Sequence, residues 1–298
     1  MIKISGNIKA NVFMATAMFL FAIISPVGKT VLDYIHPLTL NTLRLLGAAI
    51  CFWITSFFVK EKVSKKDLFL LFFAALFGTM LNQGLFIIGL SQTNPIHSSL
   101  MTSTAPILTM IISAFYLKEK ITSKRITGII IGAGGAAMLI LMNKQTGNYP
   151  SSILGDILCL LAQLSYAIYL TVFLKLIKKY SPVTVSKWMF TYAFICYFII
   201  SFHDIVNDDI LSLPIGIWTR IFVIAIMCTF VTFNLMMTAQ KTLSPTIIST
   251  YNYFLPIIGA GISFALGMGT LGIYAFVATA LILIGVTIVN KSKTQKQN

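Results

Sequence analysis

Half of this chain repeats the other half. Residues 68–141 lie on residues 218–291 at a constant shift of 150, which sets Pro95 on Pro245, Ser99 on Ser249, Pro106 on Pro256 and Gly135 on Gly285. The preceding part matches at a shift of 145. His36-Pro37 falls on Ser181-Pro182, Thr39 on Thr184, and Phe21-Ala22 on Tyr166-Ala167. The five-residue difference fits a longer connection at 204–214. The matched positions are Pro and Gly, not the Leu and Ile that any two apolar stretches share, so the likeness marks an internal repeat. Each half reads as about five membrane-spanning helices. Five is odd, so the second half enters the bilayer from the side opposite the first. The expected fold is an all-α polytopic membrane protein of ten transmembrane helices, built as two inverted five-helix repeats at 1–145 and 146–298. Inverted repeats build many carriers, with a site between the halves near the midplane.

Composition supports the membrane. Of 298 residues, 57% are hydrophobic and 10% are charged, against about 25% charged in a soluble domain. Mean hydropathy is +0.88. The candidate spans are about 10–32, 38–59, 68–90, 96–117, 126–142, 153–174, 185–202, 217–238, 246–266 and 271–290, most near the roughly 20 residues that cross a hydrocarbon core. They lack the period-two alternation of barrel strands, so helix is the spanning form.

The net charge of +14 raises nucleic acid as a partner. The basic residues instead sit in short clusters between apolar stretches, as at a cytoplasmic face, and no nucleic-acid partner is expected. With the N-terminus inside, the inner segments hold Lys3 and Lys9, then Lys60, Lys62, Lys65 and Lys66, then Lys118, Lys120, Lys124 and Arg125, then Lys175, Lys178 and Lys179. Lys241 and the tail Lys291, Lys293 and Lys296 complete them, while Asp33, Asp204, Asp208 and Asp209 fall outside. Ten spans keep both termini in the cytoplasm. Ala15-Thr16-Ala17 resembles a signal cleavage site, but the apolar run before it is too short and continues past it, so a retained first helix is expected. Cys51, Cys159, Cys196 and Cys228 lie in apolar stretches without a CxxC pair and read as buried thiols.

Polar residues inside a bilayer are costly and usually face a bundle interior or a watery cavity. Asn82 and Gln83 lie mid-helix in the third span; Gln163 and Tyr166 share a face of the sixth, Asn234 and Thr238 of the eighth, and Ser249 and Asn252 of the ninth, beside Tyr251 and Tyr253. The competing role is helix–helix glue. As a set, they suggest a small-molecule pocket. Lys29, after Pro26 and Gly28, either borders that pocket or snorkels to the outer interface. The expected substrate-binding residues are therefore Asn82, Gln83, Gln163, Tyr166, Asn234, Tyr251, Asn252 and Lys29. Arg44 is expected to pair with Asp33 or bond carbonyls in a structural role, with substrate contact as the alternative, and His97 to make a helix-end hydrogen bond, with titration near neutral pH as the alternative. His203 and Asp204 lack a third rigid ligand for a metal. All eight acids read as loop or helix-end residues, so a proton route through a buried carboxylate is not expected. No catalytic residue or cofactor is expected.

Two stretches carry a family likeness. Gly89-Leu-Ser-Gln-Thr-Asn-Pro-Ile-His-Ser-Ser-Leu leads to Thr104-Ala-Pro106; Leu117-Lys-Glu-Lys-Ile-Thr then precedes Gly128 and Gly132-Ala-Gly-Gly135. This resembles the second hairpin of the EamA domain of the drug/metabolite transporter superfamily. The second copy repeats it at 239–245, Pro256 and Gly285, and residues 40–49, with Arg44, resemble the family's second helix. The position equivalent to Glu119 is Gly269, so a role tied to paired acids does not carry over. The resemblance implies two EamA repeats in a bacterial inner (plasma) membrane, with both termini cytoplasmic. It also implies secondary transport of small polar metabolites, amino acids or related compounds, by export or exchange with alternating access; the partners are a small-molecule substrate and the lipid bilayer. The alternatives are an intramembrane enzyme, for which neither HExxH nor a paired-Asp motif is present, and a membrane receptor or assembly factor, for which larger loops are expected.

Overall fold

The structure, a computed structural model, describes residues 2–93, 98, 101–119, 121–142, 152–255, 257–258 and 273–291. His97, Pro95, Ser99, Lys144, Pro256, Gly269, Lys293 and Lys296 lie outside them.

The first half contains α1 (Ile2–Ala22), α2 (Ile24–Leu32), α3 (Pro37–Ser56), α4 (Lys65–Ala75), a π-helical turn at Leu76–Leu81, α5 (Asn82–Gln92), α6 (Ala105–Tyr116) and α7 (Ser123–Met142). The second contains α8 (Ile153–Val172), α9 (Leu174–Lys179), α10 (Pro182–Ile200), α11 (Phe202–Asn207), α12 (Ile215–Ala225), a π-helical turn at Ile226–Val231, α13 (Thr232–Gln240), α14 (Pro245–Thr250) and α15 (Ile273–Lys291). Six helices are long and apolar enough to cross a membrane: Ile8–Leu32, Pro37–Ser56, Lys65–Gln92, Ile153–Val172, Pro182–Ile200 and Ile215–Gln240. Ala105–Tyr116 and Phe276–Val289 are shorter apolar helices. The sequence expects ten spans; this count is six, taken over the described residues.

The repeat carries into local structure. A shift of 145 sets the start of α3 on the start of α10, and a shift of 150 sets α4 on α12 and the start of α7 on the start of α15. The same shift of 150 superimposes the two π-helical turns, Leu76–Leu81 on Ile226–Val231. A π turn widens the helix by one residue and frees carbonyls from their usual partners; such turns recur at functional sites. Here polar side chains take up the slack. Ser165 Oγ donates to the Phe77 carbonyl at 2.6 Å and Tyr197 Oη to the Met80 carbonyl at 2.9 Å. In the second turn, Thr229 Oγ1 donates to the Ile224 carbonyl at 2.8 Å.

Helix starts follow from capping chemistry. Ser64, Ser152 and Ser181 accept the backbone N–H of Asp67, Gly155 and Thr184, and Pro37 and Pro182 occupy first-turn positions where no N–H is needed. The 204–214 connection is not a plain loop. It holds α11, a left-handed residue at Asp209 and a 3₁₀ turn at Ile210–Ser212.

The halves interlock. α3 packs on α10, α7 on α15, α5 on α8, α1 on α13 and α6 on α14. Side chains such as Phe58, Phe115, Ile153 and Ile215 remain exposed on the outside. So much uncovered apolar surface suits a lipid-facing wall. The α7–α15 seam is a close backbone approach: a Cβ on Gly285 would stand 2.6 Å from both the Gly128 carbonyl and the Gly132 nitrogen. Small residues let membrane helices approach this closely.

Candidate functional site: a central cavity between the halves

Where α1, α3, α5, α8 and α13 meet, the side chains leave a cavity with about 520 Å³ of space free of protein atoms, counting space continuous with the outside. Its wall is Met18, Phe21, Arg44, Asn82, Gln83, Phe86, Thr102, Gln163, Tyr166, Phe233, Met236, Asn252 and Leu255. The repeat shifts pair this wall with itself. Met18 falls on Gln163, Phe21 on Tyr166, Gln83 on Phe233, Phe86 on Met236 and Thr102 on Asn252. Equivalent residues of the two halves therefore face one space. Every pair but Phe86 and Met236 opposes a polar group in one half to an apolar or differently polar group in the other, so the cavity is symmetric in position and asymmetric in chemistry.

Of the eight residues expected to bind substrate, Asn82, Gln83, Gln163, Tyr166 and Asn252 border this cavity. Asn82 is partly committed elsewhere, since its Nδ2 donates to the Ala162 carbonyl at 2.9 Å. Among the described residues, Gln83 has no hydrogen-bond partner at either amide atom. Asn234, Tyr251 and Lys29 do not border it. Successive helical residues point about 100° apart. Phe233 and Met236, three apart, take the cavity face of α13 and turn Asn234 away from it. Tyr251 donates to Asn11 Oδ1 at 2.7 Å and stacks on Phe254. Lys29 Nζ donates to the Leu90 carbonyl at 3.1 Å, near the end of α5.

Arg44 does not make the contacts expected of it. It neither pairs with Asp33 nor bonds a carbonyl; it borders the cavity, and its Nε donates to Thr229 Oγ1 at 3.3 Å, on the second π turn. Its position three residues before Gly47, in a helix of small and apolar residues, was the available signal. His203 faces Asn207, and among the described residues no group of three metal-ligating side chains occurs. The four cysteines are free thiols, with Cys159 and Cys228 buried.

Polar contacts bridge the halves at both ends of the bundle. At the lysine-rich end, the Ser181 N–H donates to Glu61 Oε2 at 2.9 Å. Asp67 Oδ2 accepts from Lys179 at 2.5 Å and from Tyr180 Oη at 2.6 Å; within the second half, Lys241 Nζ donates to the Tyr180 carbonyl. At the other end the His36 N–H donates to Asp208 Oδ2 at 2.9 Å, and His36 Nδ1 lies 3.4 Å from Asp204. His36 and Ser181 are repeat equivalents. Each is the N-cap of its half's second long helix, and each gives its N–H to an acid from the connection beyond the other half's second helix. The 20-residue α3 runs from His36 toward the 57–64 connection, so the two latches lie roughly 30 Å apart. The lysine-rich latch is the more elaborate. Burial raises the Glu61 carboxyl, but the Ser181 N–H, the Thr184 and Ser181 hydroxyls and Lys241 outweigh it and hold the group below its usual range. The Asp67 carboxylate, by its hydrogen bond, raises Lys179.

The profile of the EamA-like transporter family matches residues 8–141 and again 153–291. The chain belongs to the EamA-like transporter family. Its two matched stretches fall on the two halves described above. This EamA protein is 23% identical over 300 residues to an uncharacterized transporter, YetK, of Bacillus subtilis, covering 98% of this chain and 90% of that one. It is 24% identical over 316 residues to a WAT1-related protein of Arabidopsis thaliana, covering 96% and 83%. A solved crystal structure shares the fold, with a TM-score of 0.74 at 14% identity over 94% of this chain and 95% of that one. The EamA protein is thus a multi-pass membrane protein of a transporter family, not an enzyme.

Proposed function

We propose that this protein is a secondary carrier that moves a small polar metabolite, an amino acid or related compound, by alternating access. Ten spans form two inverted repeats, with both termini in the cytoplasm. The carrying observation is the central cavity lined by equivalent residues of both halves, with one inter-half latch at each end. In this reading the latches are gates: opening one while the other holds exposes the cavity to one side at a time. Lysine clustering makes the Glu61–Ser181 end cytoplasmic. Reporter fusions after Asn148 and after Lys291 are expected on opposite faces; same-face signals would remove the inverted repeat.

No acid borders the cavity. The eight acids stand in connections or near helix ends, as with Asp67 and Asp156 in first helical turns and Glu119 bound to Arg125 at 2.6 Å. Transport is therefore exchange or facilitated diffusion. The test is a screen of labelled metabolites with purified protein in vesicles, with and without a pH gradient. Uptake of a metabolite class, downhill and indifferent to the gradient, is expected. Accumulation only under an imposed proton gradient would overturn the energetic part, and absence of any protein-dependent flux would overturn the carrier reading.

A further inference from the structure

Two arginines are almost completely buried, and they are kept in opposite ways. Arg125 is 1% exposed and its guanidinium meets Glu119 at 2.6 Å. Arg44 is also 1% exposed, yet none of the chain's eight acids pairs with it. Its one hydrogen bond goes to the Thr229 hydroxyl, and its Nη2 has no partner among the described residues. Buried charges are ordinarily paired, because the desolvation penalty is otherwise uncompensated. Arg44 borders the cavity, and so does Gln83, whose two amide atoms are equally unpartnered among the described residues. The repeat equivalent of Arg44 is Met189, so the fold does not require a cation at this position.

We propose that Arg44 is the anchor for a carboxylate, and that the substrate is a small organic monoanion rather than a zwitterion or cation. The inference rests on the carrier reading; it keeps the small polar metabolite of that reading and departs from it in excluding the free amino acid, leaving related compounds that carry a carboxylate without an ammonium. The guanidinium offers a planar fork of donors suited to a carboxylate. Gln83 borders the same cavity, and its amide can donate a further hydrogen bond. Phe21, Phe86, Tyr166, Phe233 and Leu255 supply walls for an apolar body. An ammonium group would find no carboxylate in the wall and would share a desolvated space with an unneutralised guanidinium. A free amino acid satisfies half of this site and is opposed by the other half.

The test uses detergent-purified full-length protein and a panel of aromatic and aliphatic compounds in matched sets: carboxylate, primary amide, amine and amino acid, with 3-phenylpropionate, 3-phenylpropionamide, 3-phenylpropylamine and phenylalanine as one set. Thermal stabilisation and direct binding are read for wild type, Arg44→Lys and Arg44→Met. Selective stabilisation by carboxylates is expected, with affinity roughly 10–150-fold weaker in Arg44→Met, the range given by losing a charge-assisted hydrogen bond, and partly retained in Arg44→Lys. Without ligand, Arg44→Met should melt at or above the wild-type temperature, because an unpaired buried charge has gone; a structural arginine would give the reverse. Equal binding of amides or amines, no carboxylate selectivity across the panel, or unchanged carboxylate binding in Arg44→Met would overturn the proposal. Vesicles that carry only neutral or cationic metabolites would overturn it while leaving the carrier reading intact. Carboxylate binding without flux would do the opposite.

Discussion

Vesicles containing the Gln83→Leu, Gln163→Leu double variant are expected to transport roughly 5–150-fold more slowly than wild type, the effect of losing about 1–3 kcal/mol from two neutral hydrogen bonds to substrate. Both side chains border the cavity, on α5 and α8 from different halves. The informative control is stability. Gln83 is 1% exposed and its amide has no partner at either atom among the described residues, so a leucine there relieves an unsatisfied polar group and the Gln83→Leu single variant should melt no lower than wild type. Asn82 supplies the contrast: it bonds the Ala162 carbonyl across a helix interface, and Asn82→Leu should lower the melting temperature. If Gln83→Leu destabilises as Asn82→Leu does, Gln83 is helix glue and not part of a binding surface.

Gly285→Leu should prevent the α7–α15 seam from forming. A Cβ at Gly285 meets the Gly128 carbonyl and Gly132 nitrogen at 2.6 Å and the Gly132 Cα at 2.8 Å. These are backbone atoms of the facing helix and cannot rotate aside. The helices must separate, and the seam around Gly128 and Gly132 loses its close contact along several turns. Overpacking a well-fitted site costs about 1–3 kcal/mol, and a leucine adds three carbons beyond that Cβ, so the loss should reach or exceed the upper end. The measurement is monodisperse yield and melting temperature in mild detergent. A Gly134→Leu variant is the control, because nothing stands within 4 Å of its Cβ position. Equal behaviour of the two would contradict the packing described.

The repeat, its two shifts and the helical class were legible in the sequence because Pro and Gly mark backbone geometry, and backbone geometry is what the two halves share. His36-Pro37 and Ser181-Pro182 are equivalent in sequence and prove equivalent as caps. The paired π turns were not legible. Leu76–Leu81 and Ile226–Val231 contain no breaker except Gly78, and the widening depends on partners from other helices such as Ser165 and Tyr197. The cavity was legible in part, because apolar surroundings make Gln83 and Gln163 conspicuous. Asn234 is just as conspicuous and faces elsewhere, since one residue of helical rotation separates it from Phe233. The partner of Arg44 was not legible for a different reason. A sequence shows a charge but not whether the acid that would neutralise it comes within reach, and here Asp33 does not.

The alternation of the two latches is tested most directly by thiol access to the cavity. In a variant lacking Cys51, Cys159, Cys196 and Cys228, Thr102→Cys places one thiol of nearly unchanged size in the cavity wall. A membrane-impermeant thiol reagent is applied from either face of oriented vesicles. Labelling from both faces is predicted. Adding Glu61→Gln and Asp67→Asn, which weaken the lysine-rich latch, should speed labelling from that face and slow it from the other. Labelling from one face only in all variants, or a rise from both faces together when the latch is weakened, would contradict alternating access between two gates.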